Sequence, residues 1–267
     1  MFVLSPLLDF WYSVRLNSKE FRTEVFQKAI KQELRNSKKG IIILRNLAKA
    51  MTEKPELHQE FADLLPEKNY QKYFWEGDLG FLWYQGNFKE KNEYFNLALQ
   101  EISSNAWTSV LDIGCGWGRF CEEAAKISTV EKVKGIDISE ELIKKCRANT
   151  SSQKIKFQCL DAMEEKEQFD LVTLFGSTDY LENEYLDKLL SHLITLAKKK
   201  IIIVNSLRGM PFETLNTMKT SKEVHRYDRG FVHPLPQMLT ALQRNHSFTF
   251  QIRKFGKDSV LAMVEIK

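Results

Sequence analysis

The spacing of hydrophobic residues along the chain changes near residue 105. Before that point, apolar side chains recur at the three- and four-residue spacing of helices, for example in residues 21–34. After it, short apolar runs alternate with segments of helical spacing. Such alternation predicts a parallel sheet that is covered by helices on both faces. The pattern therefore predicts a helical extension over residues 1–104 and an α/β domain over residues 105–267.

Local signals predict three helices early in the chain. Asn17 and Glu20 form a capping-box pattern before the first helix, and Gly40 matches its C-terminal stop. Residues 41–51 predict the second helix, although the three isoleucines at its start would alone suit a strand. The third helix is expected to run on to about residue 65, where a proline follows.

Aromatic residues are dense between Tyr70 and Tyr94, in a stretch that glycines interrupt. One interpretation is a small core, and the other is a lid or pocket wall, because ligand pockets are apolar with few polar anchors. Asn87 and Glu90 then predict the start of a helix that reaches about Ser103. No linker rich in Pro, Gly or Ser follows, so we expect these helices to form a lid rather than an independent domain.

The α/β domain is expected to contain a doubly wound, mostly parallel seven-stranded sheet. Residues 248–255 and 259–266 are two strands joined by a tight turn at Gly256, so the sheet should finish with an antiparallel hairpin. The five parallel strands are predicted at residues 110–113, 133–138, 155–160, 169–175 and 201–205.

The first of these strands ends in a turn that contains three glycines. Residues 110–120 read VLDIGCGWGRF, and glycines there let the backbone bend and let a ligand lie against the main chain. The dinucleotide-binding fingerprint needs Gly or Ala at the sixth position from the first glycine, where this chain has Arg119. A P-loop needs the run G-x-x-x-x-G-K-S/T, and no such run follows this strand. The spacing is instead G-x-G-x-G.

Further polar residues follow the next strands. Asp137 ends the second strand, and an acid there can accept two hydrogen bonds from a ribose diol. The alternative role for Asp137 is a helix N-cap, a task that Ser139 already fits. Asp161 follows the third strand, and Phe175-Gly176 ends the fourth. Because open parallel sheets bind ligands beyond the carboxyl ends of their strands, these residues predict one shared site.

The segment VLDIGCGWGRF resembles the first motif of class I S-adenosylmethionine-dependent methyltransferases. The later strand tips follow in the order that this family shows, so the resemblance covers roughly residues 109–205. It implies a Rossmann-like methyltransferase fold and S-adenosylmethionine as the cofactor. It also implies that Gly114, Gly116 and Gly118 cradle the amino acid part of the cofactor, and that Asp112 orients this loop.

The same resemblance assigns the other cofactor contacts. Asp137 would hold the ribose, Ile138 would pack on the adenine, and Asp161 and Ala162 would read the adenine edge. The contacts implied for the methionine end are a carbonyl of Phe175 or Gly176 and a wall formed by Trp83 and Tyr84.

The residues that follow the fourth strand narrow the expected class of methyl acceptor. Enzymes of this family that methylate amino groups of DNA bases have a Pro-Pro pair there, and RNA cytosine-C5 enzymes have Pro-Cys, whereas residues 175–180 read FGSTDY. The resemblance therefore implies a methyltransferase that acts on a small molecule, by O- or N-methylation. The alternatives are a protein or peptide methyltransferase and a non-catalytic S-adenosylmethionine-binding interaction module.

Two segments are placed to reach the acceptor, namely the loop after the fourth strand and a long insertion after the fifth. Histidine titrates near neutral pH and suits proton removal. We expect His225 or Asp179 to accept or orient the acceptor proton, with Tyr180 and Tyr227 shaping the pocket. The alternative is that His225 and His233 are ordinary surface residues.

Composition excludes several other classes. The net charge of +4 is small for 267 residues, which disfavours a dedicated nucleic-acid binder. The four cysteines form no C-x-x-C pair, so we expect reduced thiols, no metal site and a cytoplasmic location. No apolar run is long enough to span a membrane. The apolar residues 1–12 are expected to pack over the protein, with a membrane surface as the alternative.

Overall fold

The computed structural model describes residues 6–54, 56–65, 70–84, 89–225, 229–256 and 258–267. The chain divides into two compact units, and the boundary between them lies between Lys89 and Glu90. The first unit is helical, and the second contains the sheet. Asn87 and Tyr227, to which the sequence assigned roles, lie outside the described residues. Within the described ranges, no helix is long and apolar enough to cross a membrane.

The first unit is built from short helices whose apolar faces form one core. Phe26, Leu44 and Phe61 lie at its centre and are almost completely buried. The rings of Phe26 and Phe61 pack with their centroids 5.3 Å apart. The helices of this unit are α1 (Pro6–Arg15), α2 (Lys19–Ile30), α3 (Lys38–Glu53), α4 (Glu56–Asp63), α5 (Tyr70–Trp75) and α6 (Asp78–Tyr84).

The predicted start of α2 is wrong by one residue. Its N-cap is Ser18 rather than Asn17, and the Ser18 hydroxyl accepts a hydrogen bond from the backbone N–H of Phe21. Serine and asparagine have similar capping preferences, so the pattern of residue types does not discriminate between the two neighbours.

The predicted end of this helix is also wrong. α2 ends at Ile30, and Gly40 lies inside α3, where its N–H donates to the N-cap Ser37 at 2.9 Å. A Cβ at position 40 would come within 1.9 Å of the carbonyl oxygen of Leu34. The glycine is therefore required by the close approach of two chain segments, not by a helix stop.

The second unit has the architecture that the sequence predicted. The described residues contribute seven strands to one sheet, in the order β3-β2-β1-β4-β5-β9-β8, in which β1 to β5 are parallel and β8 and β9 form the antiparallel hairpin. The strands are β1 (Ser109–Ile113), β2 (Lys132–Asp137), β3 (Ile155–Cys159), β4 (Phe169–Phe175), β5 (Ala197–Ser206), β6 (Lys222–His225), β7 (Arg229–Val232), β8 (Phe248–Phe255) and β9 (Ser259–Ile266).

Helices cover both faces of this sheet. Along β5, Ile201 and Ile203 pack into one core, and the intervening Ile202 and the next residue Val204 pack into the other, because successive side chains of a strand point to opposite faces. The first core is shared with α10 (Asn183–Leu196) and α11 (Leu235–Leu242). The second is shared with α7 (Lys89–Ser104), α8 (Arg119–Ala125) and α9 (Glu140–Asn149).

α7 packs against the sheet through Tyr94, Ala98 and Ile102 and therefore belongs with the second unit. The domain boundary at residue 105 and the role of the preceding helices as a lid stay predictions. The insertion after β5 contains a small two-stranded sheet of β6 and β7, which no pattern in the sequence indicated.

Candidate functional site

The parallel strands end at one common edge of the sheet. Ile113 of β1 lies opposite Ile136 of β2 and Leu174 of β4, and Asp137 of β2 lies opposite Cys159 of β3. The chain segments that follow these strands carry the polar residues that the sequence singled out. The fold therefore brings the glycine turn, Asp137, Asp161 and the residues after β4 to the same edge.

The glycine turn adopts a backbone conformation that favours glycine at three positions. Gly114, Gly116 and Gly118 have φ angles of 68°, 55° and 74°. A Cβ at position 114 would come within 2.5 Å of the Cβ of Ser177, and a Cβ at 118 within 2.5 Å of the ring of Phe157. At position 116 a Cβ would have nothing within 4 Å.

The three glycines thus differ in what they do. Two of them allow the turn to pack against the rest of the unit. Gly116 instead leaves a bare stretch of main chain with open space beside it. A ligand can approach the backbone there, as the predicted cradle requires.

Asp137 holds the glycine turn in place. Its Oδ2 accepts a hydrogen bond from the N–H of Gly116 at 3.0 Å, and its Oδ1 accepts one from the N–H of Ser139 at 2.9 Å. Ser139 is the N-cap of α9, as predicted, and its hydroxyl accepts from the N–H of Leu142. A carboxylate oxygen accepts more than one hydrogen bond, so these contacts are compatible with two further bonds to a ribose diol.

Ile138, next along the chain, is 80% exposed and is one of the few large apolar side chains that face solvent. Met163, which follows the tip of the neighbouring strand β3, is also exposed. Both side chains lie near the polar strand tips and suit packing against a flat apolar group.

Asp161 is held from two sides. It is the N-cap of the 3₁₀ turn Ala162–Glu164, and its Oδ1 accepts from the N–H of Met163 at 2.9 Å. The same oxygen accepts from the hydroxyl of Tyr185, on α10. Among the described residues, none donates to Oδ2. No sequence pattern indicated Tyr185, because it lies 24 residues from Asp161 in a segment that reads only as an amphipathic helix.

Asp112 lies inside the sheet rather than at its surface. It is 3% exposed, and its Oδ1 accepts from the hydroxyl of Thr173 on β4 at 2.8 Å. Its Oδ2 accepts from the thiol of Cys121 on α8 at 3.7 Å. The carboxylate therefore links β1 to the neighbouring strand β4 and to α8, the helix that follows the glycine turn, and these bonds can orient that turn.

Three buried thiols lie behind the glycine turn. Cys115, Cys121 and Cys146 are buried, and the Cys146 thiol donates to the carbonyl of Gly116 at 3.2 Å. Hydrogen bonding from Cys121 and burial raise the pKa of Cys115, and burial raises the pKa of Cys121 to about 11. These thiols therefore stay neutral and pack as small apolar groups. The fourth cysteine, Cys159, is exposed.

The end of β4 supplies a second open glycine. Gly176 has a φ of 79°, and a Cβ there would have nothing within 4 Å. Its carbonyl accepts from the N–H of Asp179 at 3.3 Å. The ring of Phe175 packs among those of Tyr94, Phe95 and Phe120, with centroids 4.9–5.1 Å apart, so only the backbone of Phe175 is placed to meet a ligand.

The residues predicted for the acceptor differ in what the structure shows of them. Asp179 is half-buried, and its Oδ1 accepts from the side chain of Asn205 and from the N–H of Ser206 at 2.8 Å. Tyr180 is half-buried beside it. His225 is the last residue of β6, and its side chain is outside the described part. Tyr84 is the last residue of α6 in the first unit, described by its backbone alone.

His233 is completely buried, so the interpretation of a surface histidine is wrong for it. Its Nε2 lies 2.9 Å from the carbonyl oxygen of Thr178, and its Nδ1 lies 2.6 Å from the hydroxyl of Ser221. Because a carbonyl oxygen only accepts, Nε2 carries the hydrogen. Burial lowers the pKa of His233 from 6.5 to about 4, so the ring is neutral at pH 7. Sequence alone did not show that β7 would carry it into the interior.

No group of three or more His, Cys, Asp or Glu side chains in the described residues is arranged to hold a metal ion. The described residues of this edge present hydrogen-bonding groups and apolar surface. The glycine turn presents bare backbone, Asp137 and Asp161 present carboxylates, and Ile138 presents an apolar side chain. This combination matches a ligand that contains a sugar, a flat base and a charged amino acid group.

Comparison with known proteins finds matches to part of the sheet-forming region. Residues 110–200 match a family model described as a methyltransferase domain. Two curated relatives are both described as mitochondrial ubiquinone biosynthesis O-methyltransferase. The one from Candida albicans is 29% identical over 105 residues, which are 37% of this chain and 32% of the relative. The one from Saccharomyces cerevisiae is 29% identical over 79 residues, which are 28% of this chain and 25% of the relative.

The chain thus spans about a third or less of the length of these curated relatives. Solved structures have a similar fold. The PH0226 protein from Pyrococcus horikoshii has a TM-score of 0.52 at 23% identity, over 68% of this chain and 92% of that one. Magnesium protoporphyrin IX methyltransferase from Synechocystis, with bound S-adenosylhomocysteine, has a TM-score of 0.51 at 15% identity, over 67% of this chain and 84% of that one.

Proposed function

We propose that this chain is a class I S-adenosylmethionine-dependent methyltransferase that transfers a methyl group to a small molecule, since its residues 110–200 match a methyltransferase domain. The observation that carries the proposal is the open main chain at Gly116, set between Asp137 and the second open glycine, Gly176. An ordinary strand-to-helix turn has no need of bare backbone facing open space beside an acid.

Each part of the cofactor has residues that fit it. Gly116 offers open main chain to the amino acid part, with Gly114 and Gly118 forming the turn around it. Asp137 would hold the ribose hydroxyls, and Ile138 would cover the adenine ring. Asp161 would accept from the adenine amino group, the N–H of Ala162 would meet a ring nitrogen, and a carbonyl of Phe175 or Gly176 would meet the amine. These residue assignments go beyond the match in fold and motif and are our proposal.

S-adenosylmethionine supplies an electrophilic methyl group on a sulfonium. Methyl transfer is an in-line displacement, so the main tasks of the chain are to orient the acceptor and to exclude water. A general base is needed only where the acceptor loses its proton before or during attack. His225, Asp179 and Tyr180 remain our candidates for that task. The bonds of Asp179 to Asn205 and Ser206 favour an anchoring role for its carboxylate.

The curated relatives favour a small-molecule acceptor. Both are described as O-methyltransferases of ubiquinone biosynthesis, so we infer that a hydroxyl group of a small molecule is the first acceptor to test, ahead of an amine. The names of those relatives do not specify the acceptor of this chain, because it covers only 32% and 25% of their lengths. A cytoplasmic location and the lack of a nucleic-acid partner stay predictions.

The test is a search for the methyl acceptor. Purified protein is incubated with S-adenosylmethionine that carries an isotopically labelled methyl group, in one sample with a small-molecule extract and in another with the protein fraction of the same lysate, and mass spectrometry finds what gains the label. We expect a labelled small molecule that appears with the intact protein and not with Asp137→Ala. Label that enters only macromolecules would replace the small-molecule proposal by a protein methyltransferase. Cofactor binding with no label in either fraction would favour a binding module.

A further inference from the structure

Tyr185 lies outside the strand tips, yet it contacts a residue of the candidate adenine site. It lies on α10, and its hydroxyl donates to Oδ1 of Asp161, which also accepts from the N–H of Met163. A carboxylate only accepts hydrogen bonds, so the phenol must be the donor. Burial, together with the Asp161 carboxylate, raises the pKa of Tyr185, which keeps the phenol protonated and able to donate.

Two donors on one oxygen fix the orientation of a carboxylate. The N–H of Met163 is part of the 3₁₀ turn that Asp161 caps, and the hydroxyl of Tyr185 comes from a different element, so Oδ1 is held from two directions. Rotation of the Asp161 side chain would break both bonds. The other oxygen, Oδ2, therefore keeps a fixed position, and no described residue donates to it.

We propose that Tyr185 is a positioning residue that locks Asp161, so that its Oδ2 meets the 6-amino group of the adenine and selects it over a 6-oxo purine. The proposal rests on the proposed function, because it assumes that the adenine of the cofactor lies against Asp161. A locked carboxylate oxygen attracts an amino group and repels a carbonyl oxygen. An unlocked one can turn away from the carbonyl, and the discrimination between the two bases then weakens.

The experiment compares two ligands on the full chain. S-adenosylhomocysteine has the 6-amino group, and S-inosylhomocysteine has an oxygen in its place. Calorimetry measures the affinity of each ligand for the wild type and for Tyr185→Phe. We expect Tyr185→Phe to weaken S-adenosylhomocysteine by about 3- to 30-fold, because the lock loses a hydrogen bond to a charged group, and to leave S-inosylhomocysteine unchanged or tighter.

The matched control lies on the same helix. Ser191 of α10 hydrogen-bonds with Nε2 of His246 at 3.1 Å and has no bond to Asp161. Ser191→Ala should leave both affinities unchanged. If Tyr185 only supported the fold, Tyr185→Phe would weaken both ligands by the same factor, and that outcome would overturn the proposal. An unchanged affinity for S-adenosylhomocysteine would overturn it as well.

A second variant tests the lock while Tyr185 is intact. In Asp161→Asn, the two donors at Oδ1 require the amide oxygen there, so the amide NH₂ takes the place of Oδ2 and faces the base. The preference should then shift toward S-inosylhomocysteine. If the side chain were not locked, it would flip, present its oxygen to the adenine and keep the original preference. Should the wild type bind neither ligand, the proposed function fails, which separates that failure from a failure of the lock.

Discussion

The cofactor half and the acceptor half of the candidate site use their polar residues differently. Along β1 to β3, the turn and strand tips leave surface for a ligand, as at Gly116 and Ile138. Beyond β4 and β5, the polar groups bond to one another, with His233 joining Thr178 to Ser221 and Asp179 joining Asn205 to Ser206. The first half thus leaves backbone and apolar side chains open, whereas the residues proposed for the acceptor are hydrogen-bonded to one another.

The largest effect is expected from a substitution at Gly118, which the glycine turn needs for packing, whereas Gly116 leaves room for a ligand. Gly118→Ala adds a methyl group 2.5 Å from the ring of Phe157 at a left-handed position. We expect a loss of roughly 2–5 kcal/mol in the free energy of unfolding, from backbone strain and overpacking. Urea unfolding of the unliganded protein measures it.

Gly116→Ala is the matched control, because it has the same left-handed backbone and an added Cβ there meets nothing within 4 Å. We expect its stability to fall by only about 1–2 kcal/mol, from the left-handed strain alone. Its affinity for S-adenosylhomocysteine should fall about tenfold or more, since the methyl group occupies the open side of the turn. Equal stability losses in the two variants would contradict this division of roles.

The two halves also differ in how far the sequence predicted them. The glycine turn, Asp137 and Ser139 lie within about 26 residues of one another in a fixed order, so local motifs indicated their positions in the fold. The same holds for the sheet, because short apolar runs between helical segments predict parallel strands. Cofactor roles for individual residues remain predictions that binding experiments must test.

The features that the sequence did not predict depend mostly on contacts between residues far apart along the chain. Tyr185 meets Asp161, and His233 meets Thr178, across 24 and 55 residues, and no local pattern indicates either pair. The small sheet of β6 and β7 was missed for a related reason, since its strands are only four residues long. The close approach that requires Gly40 is local, at Leu34 six residues earlier, but it depends on the conformation of the intervening turn, which the residue types do not indicate.

The next effect concerns the buried histidine of the acceptor half. The pKa of His233 is about 4 in the folded protein and ordinarily 6.5, so between these values the unfolded chain binds a proton that the folded protein does not. Its contribution to stability is complete above pH 6.5 and is lost as the pH falls toward 4. We expect a decrease of roughly 3 kcal/mol in the free energy of unfolding over this range.

Urea unfolding at several pH values measures this dependence in the wild type and in His233→Gln. The glutamine amide can still donate to the carbonyl of Thr178 but does not titrate, so the variant should show a shallower loss between pH 6.5 and 4. Identical slopes in the two proteins would show that His233 does not stay neutral in the folded state.

A smaller effect is expected at Asp179. Asp179→Asn keeps one acceptor oxygen but removes the charge that strengthens the bonds to Asn205 and Ser206, so stability should fall by about 1–2 kcal/mol. Cofactor affinity should stay unchanged. Asp187→Asn, an exposed position on α10, is the control and should leave stability unaltered. Unfolding curves and calorimetry on both variants test these expectations. If Asp179→Asn were as stable as the wild type, Asp179 would have no anchoring role.

The central claim is that the carboxyl edge of β1 and β2 is a site for S-adenosylmethionine. Calorimetry of the full chain with S-adenosylhomocysteine tests it most directly, with Asp137→Ala as the comparison. We predict binding by the wild type and a loss of about 2–4 kcal/mol of binding free energy in Asp137→Ala, because hydrogen bonds to a charged group are lost. The account would be contradicted if folded wild-type protein gave no binding heat at millimolar S-adenosylhomocysteine and if the ligand left its melting temperature unchanged.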